Sequence, residues 1–289
     1  ILKCWRTSVP ENRIPQANAC ALGALLTLVL ALGSAPRPAI AAGDELVLAV
    51  QPILDEQQTR KAFQPLCDYL GQATGRGCRL FTSPNFYAYW DKVRLGTAFN
   101  LVLDAAHFTD YRVQKLGYHV LAKVPDTVTY TLITRDSELL LDANELTGRR
   151  IATLGIPSIG AARLNVLFPN PSRQPVAVEV DAAEQAIRLL LDGKVSAAIL
   201  PTPIVAQQMA SGAGVSVLIT TDPIPHIGLS AAPSIDADTR AALSKALLNA
   251  HTREDGQKML KQIGFERFDP ATAAVYAGQG KILREYWGY

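Results

Sequence analysis

Histidine and cysteine are both scarce, with four of each in 289 residues. His107, His119, His226 and His251 stand singly, and neither an H-E-x-x-H helix pair nor a C-x-x-C motif occurs. The usual local signatures of zinc and dithiol chemistry are thereby excluded. A Walker A sequence is also missing, and Gly212-Ala213-Gly214 lacks the third glycine of a dinucleotide fingerprint. Around Ser158, Ile156 stands where a nucleophile elbow needs its first glycine. No local motif supports catalysis, so the expectation is a non-enzyme without cofactor or metal. Charged residues make up only 19% of the chain, and 20 glycines and 18 prolines are too few for a low-complexity or collagen-like class. The length suits about two domains and a sizeable core.

Excess charge of either sign is also lacking, since the net charge is +2. Residues 17–32 (ANACALGALLTLVLAL) are uncharged, follow Lys3, Arg6 and Arg13, and lead to Ala39, Ala41 and Ala42. That order predicts an export signal over residues 1–42, cleaved near Ala41 or Ala42. The apolar run falls short of the roughly 20 residues needed to span a bilayer. Removing residues 1–42 takes away four basic residues and one acidic one and leaves one more acid than base. No run of Lys and Arg interleaved with aromatics remains, which excludes nucleic acid as a partner.

The same cleavage would remove Cys4 and Cys20 and leave Cys67 and Cys78, eleven positions apart. In an exported chain such a pair is read as one disulfide; two free buried thiols are the alternative. Cys67 shares an apolar helical stripe with Phe63, Leu66 and Leu70, and Cys78 opens the strand that follows, so a bridge would lock the intervening turn.

Strand and helix patterns alternate along the chain. Leu46–Val50 reads as a buried strand, Glu56–Leu70 as a helix distorted at Pro65, Arg79–Thr82 as a strand, Asn85–Leu95 as a helix capped at Gly96, and Leu101–Asp104 as a strand. A second cycle includes a strand at Ile151–Leu154, the loop Gly155–Gly160, a helix containing Ala183, Ala186, Ile187, Leu190 and Leu191 that stops at Gly193, and a strand at Val195–Leu200. The Pro-punctuated stretch Val215–Leu229 suits a crossing between lobes, and the chain is helical from Ala237 onward. This predicts an α/β fold with mostly parallel sheets.

Three stretches of the first cycle carry a resemblance: Phe63-Gln64-Pro65-Leu66-Cys67-Asp68-Tyr69-Leu70, then Tyr87 at the start of a helix ending at Gly96, then Asn100-Leu101-Val102-Leu103. In the second cycle, Glu145–Ala152 is similar to an L-x-G-K-x-V-A strand entry, and Ala186–Ala198 to an A-x-x-x-G-x-V-D-x-A unit. The tail Gly264-Phe265-Glu266-Arg267-Phe268, with Tyr276 beyond it, matches in kind. Over residues 46–288 the chain thus resembles the phosphonate, phosphite and phosphate periplasmic substrate-binding proteins, the PhnD-like binding subunits of ABC importers. The resemblance implies a two-lobed type II periplasmic-binding-protein fold with an interlobe ligand cleft and hinge closure on a solute. Lobe I would comprise residues 43–134 and 222–289, and lobe II residues 135–221.

By the same resemblance Tyr87 is a cleft tyrosine at a helix start, although Phe86, Tyr87, Tyr89 and Trp90 could equally pack a core. Ser158 would present its hydroxyl and backbone N–H groups to an anion, or simply cap a helix. Asp104 and His107 fall in a cleft loop. Asp104 is a departure from the family, since a carboxylate there repels a phosphonate unless it is protonated, paired or turned away; a helix-capping role is its alternative. His107 is divided between ligand contact and surface, and Thr202 between a cleft-facing strand end and a turn between prolines. Two further departures are Ile159, where the family carries a second hydroxyl, and Ala183, where some members use a histidine.

The implied function is capture of a small, oxyanionic solute by an exported monomer that delivers it to an ABC permease. The alternative partner is the periplasmic domain of a sensor kinase, to which a closed form would report the ligand. A zwitterion or an organic cation stays open as the ligand because of Asp104.

Overall fold

The computed structural model describes residues 45–289. The expected export signal, with Cys4 and Cys20, lies outside the described residues.

Continuous apolar runs form the central strands. β1 (Leu46–Val50) and β3 (Leu101–Asp104) are buried along their whole length, and β1 pairs in parallel with β3 and with β2 (Cys78–Phe81). β12 (Gly228–Ala231) returns late in the chain and pairs antiparallel with β3 and β4 (His119–Lys123), giving a first sheet in the order β2-β1-β3-β12-β4. The second sheet runs β10-β6-β9-β7-β8, from β6 (Tyr130–Arg135), β7 (Arg150–Thr153), β8 (Val176–Glu179), β9 (Ala197–Pro201) and β10 (Val215–Thr220). β12 and β6 are each antiparallel to both of their neighbours, so the two sheets are mixed and not mostly parallel as expected, because these crossing strands enter each sheet against its βαβ units. The short ladder of β5 (Thr127–Val128) and β11 (Ile224–Pro225) lies where the chain passes between the sheets. The expected division at residues 134 and 135 falls inside β6, whose residues from Tyr130 onward already pair in the second sheet.

The helices around the first sheet are α1 (Glu56–Thr74), α2 (Phe86–Val93), α3 (Ala106–Leu116), α7 (Ala237–Leu248), α8 (Glu254–Ile263), α9 (Ala273–Tyr276) and α10 (Lys281–Trp287). Those around the second are α4 (Ile159–Leu167), α5 (Ala183–Leu191) and α6 (Thr202–Ala210). Helix starts follow capping chemistry: the side chains of Asp55, Asn85, Ser158 and Asp236 accept hydrogen bonds from first-turn N–H groups of α1, α2, α4 and α7. α1 runs past its expected end at Leu70 and stops at Gly75, whose φ of 67° is left-handed. Cys67 on α1 and Cys78 on β2 form the expected disulfide, with Cα atoms 5.5 Å apart.

Candidate functional site

The two lobes touch along a junction fastened by four hydrogen bonds. His107 Nε2 lies 2.9 Å from the Pro157 carbonyl oxygen. The Asn85 amide donates to Asp181 at 2.9 Å, and the Gln58 amide donates to Glu184 at 2.8 Å. The Ala183 N–H donates to the Ile53 carbonyl at 2.9 Å. This last bond serves a first-turn N–H of α5, a helix without a side-chain cap, so contact with the other lobe satisfies an otherwise orphaned donor. One apolar cluster spans the junction, joining Phe86, Trp90 and Phe108 of the first lobe to Leu154, Ala183 and Ile187 of the second.

Asp104 is fully buried and paired. Its carboxylate accepts from Arg112 Nη1 at 2.6 Å and Nη2 at 2.5 Å, from the Tyr89 hydroxyl at 2.7 Å, and from the Thr109 hydroxyl at 3.2 Å. Burial works against the Arg112 charge, but Asp104 outweighs it and raises the guanidinium pKa; burial, then Asp104, raises that of Tyr89. Asp104 does not cap the following helix, whose N-cap position is Ala105. Of the ways a carboxylate could coexist with an oxyanion here, the structure shows pairing, and the pair belongs to the scaffold.

His107 is also fully buried, and a carbonyl can only accept, so its Nε2 carries the proton while Nδ1 has no partner. Burial, opposed by the bond to Pro157 and helped by Arg112, lowers its pKa from 6.5 to about 3. The ring is neutral at pH 7. Ser158 is buried too, and its hydroxyl accepts from the Ala161 N–H at 3.2 Å as the N-cap of α4. His107 and Ser158 thus meet at the lobe junction through the Pro157 carbonyl. Tyr87 is 65% exposed on α2, while its neighbours Phe86, Tyr89 and Trp90 are the buried aromatics. The Thr202 hydroxyl is 2.6 Å from that of Thr129 and 2.8 Å from that of Thr131, tying the start of α6 to the crossing segment.

A cavity of about 550 Å³ opens between the lobes beside the β5–β11 ladder. The first lobe contributes Gln51, Ile53, Leu54, Phe63 and Phe265, the second Tyr130, Pro201, Pro203, Ile204 and Gln207, and the crossing segments Val128, His226 and Ile227. It holds none of the five expected contact residues, although Ala105 adjoins Asp104, and Pro201 and Pro203 flank Thr202. A hollow of about 440 Å³ shares Leu54, Ala62, Ile204, Gln207 and Gln262 with it and continues past Gln58 and Glu184. Gln51 follows β1, and ligands of open α/β sheets gather beyond the carboxyl ends of strands, which is the signal that could have marked it. Its side-chain oxygen accepts from the Ala105 N–H at 3.0 Å. Phe63 and Phe265 read in the sequence as core and tail motif, and nothing local marks Tyr130 or Ile204.

Residues 48–276 match the family described as ABC transporter, phosphonate, periplasmic substrate-binding protein. The chain belongs to this family. Among solved structures, this phosphonate-type periplasmic binding protein is similar to PhnD1 from Prochlorococcus marinus (MIT 9301) in complex with methylphosphonate, at 14% identity over 86% of this chain and 100% of that one, with a TM-score of 0.74. A Xanthomonas citri protein bound to ATP is 14% identical over 84% and 99% of the two chains, with a TM-score of 0.67. A binding protein component of an ABC phosphonate transporter from Pseudomonas aeruginosa is 13% identical over 83% and 84%, with a TM-score of 0.66. These likenesses show the fold, two lobes of sheet flanked by helices. No curated protein matches this periplasmic binding protein in sequence.

Proposed function

We propose that the chain is the solute-capturing subunit of an ABC importer, exported by residues 1–42, and that it closes its two lobes on a small, oxyanion-bearing ligand for delivery to the membrane permease. The observation that carries this reading is the interlobe cavity beside the β5–β11 ladder, with the lobes fastened to each other by hydrogen bonds outside it. Such a ladder is the natural hinge of two lobes, because a few residues of extended chain absorb the φ and ψ changes of closure.

Within this reading the expected contact residues take different parts. His107 fastens the closed form at the Pro157 carbonyl, Ser158 caps α4, Thr202 fixes the start of α6 against the hinge, Asp104 holds α3 through Arg112, and Tyr87 stays available to a docking partner or to solvent. Burial of the ligand between lobes makes closure and binding one equilibrium, so a ligand raises stability by its affinity for the closed form alone.

A thermal-shift panel of phosphate, phosphite, methylphosphonate and larger phosphonates tests the proposal, with compaction followed by small-angle scattering. A ligand at one hundred times its dissociation constant adds about 2.7 kcal/mol and raises the melting temperature. A rise accompanied by a smaller radius of gyration is the expected result. Stabilisation by no member of the panel would remove capture of a phosphorus oxyanion as the function.

A further inference from the structure

The interlobe cavity has the walls of a site for hydrocarbon. Ile53, Leu54, Phe63, Ile204, Ile227 and Phe265 all line it, and each is only partly buried although large and apolar. Partly exposed apolar side chains gathered in one concavity mark a ligand site, where a few polar groups then fix orientation. No aspartate, glutamate or arginine is among its lining residues.

The polar groups present are donors or neutral. His226 Nδ1 accepts from the Ile227 N–H at 2.8 Å, which leaves the proton on Nε2. Burial, helped by Lys123 and opposed by Asp126, lowers its pKa to about 4, so this ring is a neutral donor at pH 7. Burial raises the pKa of the Tyr130 phenol, which keeps its proton. The Gln51, Gln207 and Gln262 amides, the Thr59 hydroxyl and the exposed Lys261 ammonium complete the polar lining. A cation finds no counter-charge here, whereas an acceptor group finds several donors. A bare inorganic oxyanion, in turn, would leave the apolar walls in contact with water.

The anion position implied by the family resemblance has no such room. Its serine, Ser158, is buried and caps its own helix, and the carbonyl before it is held by His107.

We propose that the cavity between Phe63, Tyr130 and Ile204 binds an organic anion with a hydrocarbon body, its phosphonate or carboxylate head received by the donor groups and its body by the apolar walls. This rests on the solute-capture reading and names the ligand class of that site. It replaces a phosphate-like solute with one whose affinity comes largely from apolar burial.

Calorimetric titration of the protein with phosphate, methylphosphonate, phenylphosphonate, phenylacetate and benzyl alcohol tests it. At least one of phenylphosphonate and phenylacetate should bind tenfold or more tighter than methylphosphonate, and which of the two leads identifies the head group. Ile204→Trp and Ala62→Phe, which fill the cavity from opposite lobes, should each weaken that ligand at least tenfold; two variants guard against a folding failure in one. Equal binding of methylphosphonate, equal binding of benzyl alcohol, or insensitivity to both substitutions would overturn the inference. Binding of phosphate or methylphosphonate alone would overturn it and leave solute capture standing, whereas failure of the whole panel would remove both.

Discussion

On one side of the lobe junction, polar groups are spent on one another; on the other, apolar groups are left without partners. Around α2, α3 and α4, Asp104 is matched to Arg112, Tyr89 and Thr109, Ser158 to Ala161, and His107 to Pro157, with stacked aromatics filling the space between. Around α1, α6 and α8, Phe63, Ile204 and Phe265 face a cavity of about 550 Å³. The first arrangement is a lock and the second a container. The contrast teaches that family resemblance can locate the cleft of a two-lobed protein while the side of the cleft that receives a solute is decided by which polar groups are already satisfied.

Breaking the lock should have the largest effect. Asp104→Ala leaves the buried Arg112 guanidinium uncompensated and should cost about 3–5 kcal/mol of stability, read by urea denaturation, with the loss appearing whether or not ligand is present. A stability near that of the parent protein would return Asp104 to the list of ligand contacts. Removing the Cys67–Cys78 bridge by Cys67→Ser with Cys78→Ser should cost about 2–4 kcal/mol in the same assay. Because both cysteines sit in the first lobe, ligand affinity should change far less than stability.

Acid provides a graded test of the same contrast. The His107 pKa is depressed to about 3 in the folded protein, so an unfolded chain, titrating near 6.5, binds the proton first as pH falls. His107 therefore contributes fully above pH 6.5, and stability declines by about 1.4 kcal/mol per pH unit below it until about pH 3. His226 adds a parallel decline between 6.5 and about 4. Denaturation midpoints measured from pH 7 to pH 4 should fall, and His107→Gln should flatten that fall by about one proton; an unchanged slope would place the ring in solvent. The smallest expected effect is that of Gln58→Ala, which removes an exposed interlobe hydrogen bond worth about 1 kcal/mol or less. Fluorescence energy transfer between labels on the two lobes should report a modest shift toward open forms without loss of folding.

The sequence was most legible where one element buries all of its residues. Leu46–Val50 and Leu101–Asp104 are strands at the expected positions because a short apolar run bounded by polar residues has few other uses. α5 was likewise legible, since Ala183, Ala186, Ile187 and Leu190 form one buried stripe. α3 was not, because His107, Thr109, Asp110 and Arg112 are buried polar residues that break the apolar periodicity. Its meaning depends on Asp104, eight residues before Arg112, and nothing in the spacing distinguishes a buried ion pair from two solvated charges. β6 is hard to see in the sequence for a different reason: YTLITR alternates little and its partners β9 and β10 lie far along the chain. The cavity was the least legible feature, because it is assembled from segments that meet only when two lobes close, and its polarity belongs to the assembly.

The most direct test is a crystal structure of the protein with phenylphosphonate. The expected result is the phenyl ring between Phe63, Tyr130 and Ile204, with the His107–Pro157 contact intact. A ligand seated at the Ile159 and Gly160 N–H groups, with His107 swung away from Pro157, would contradict it.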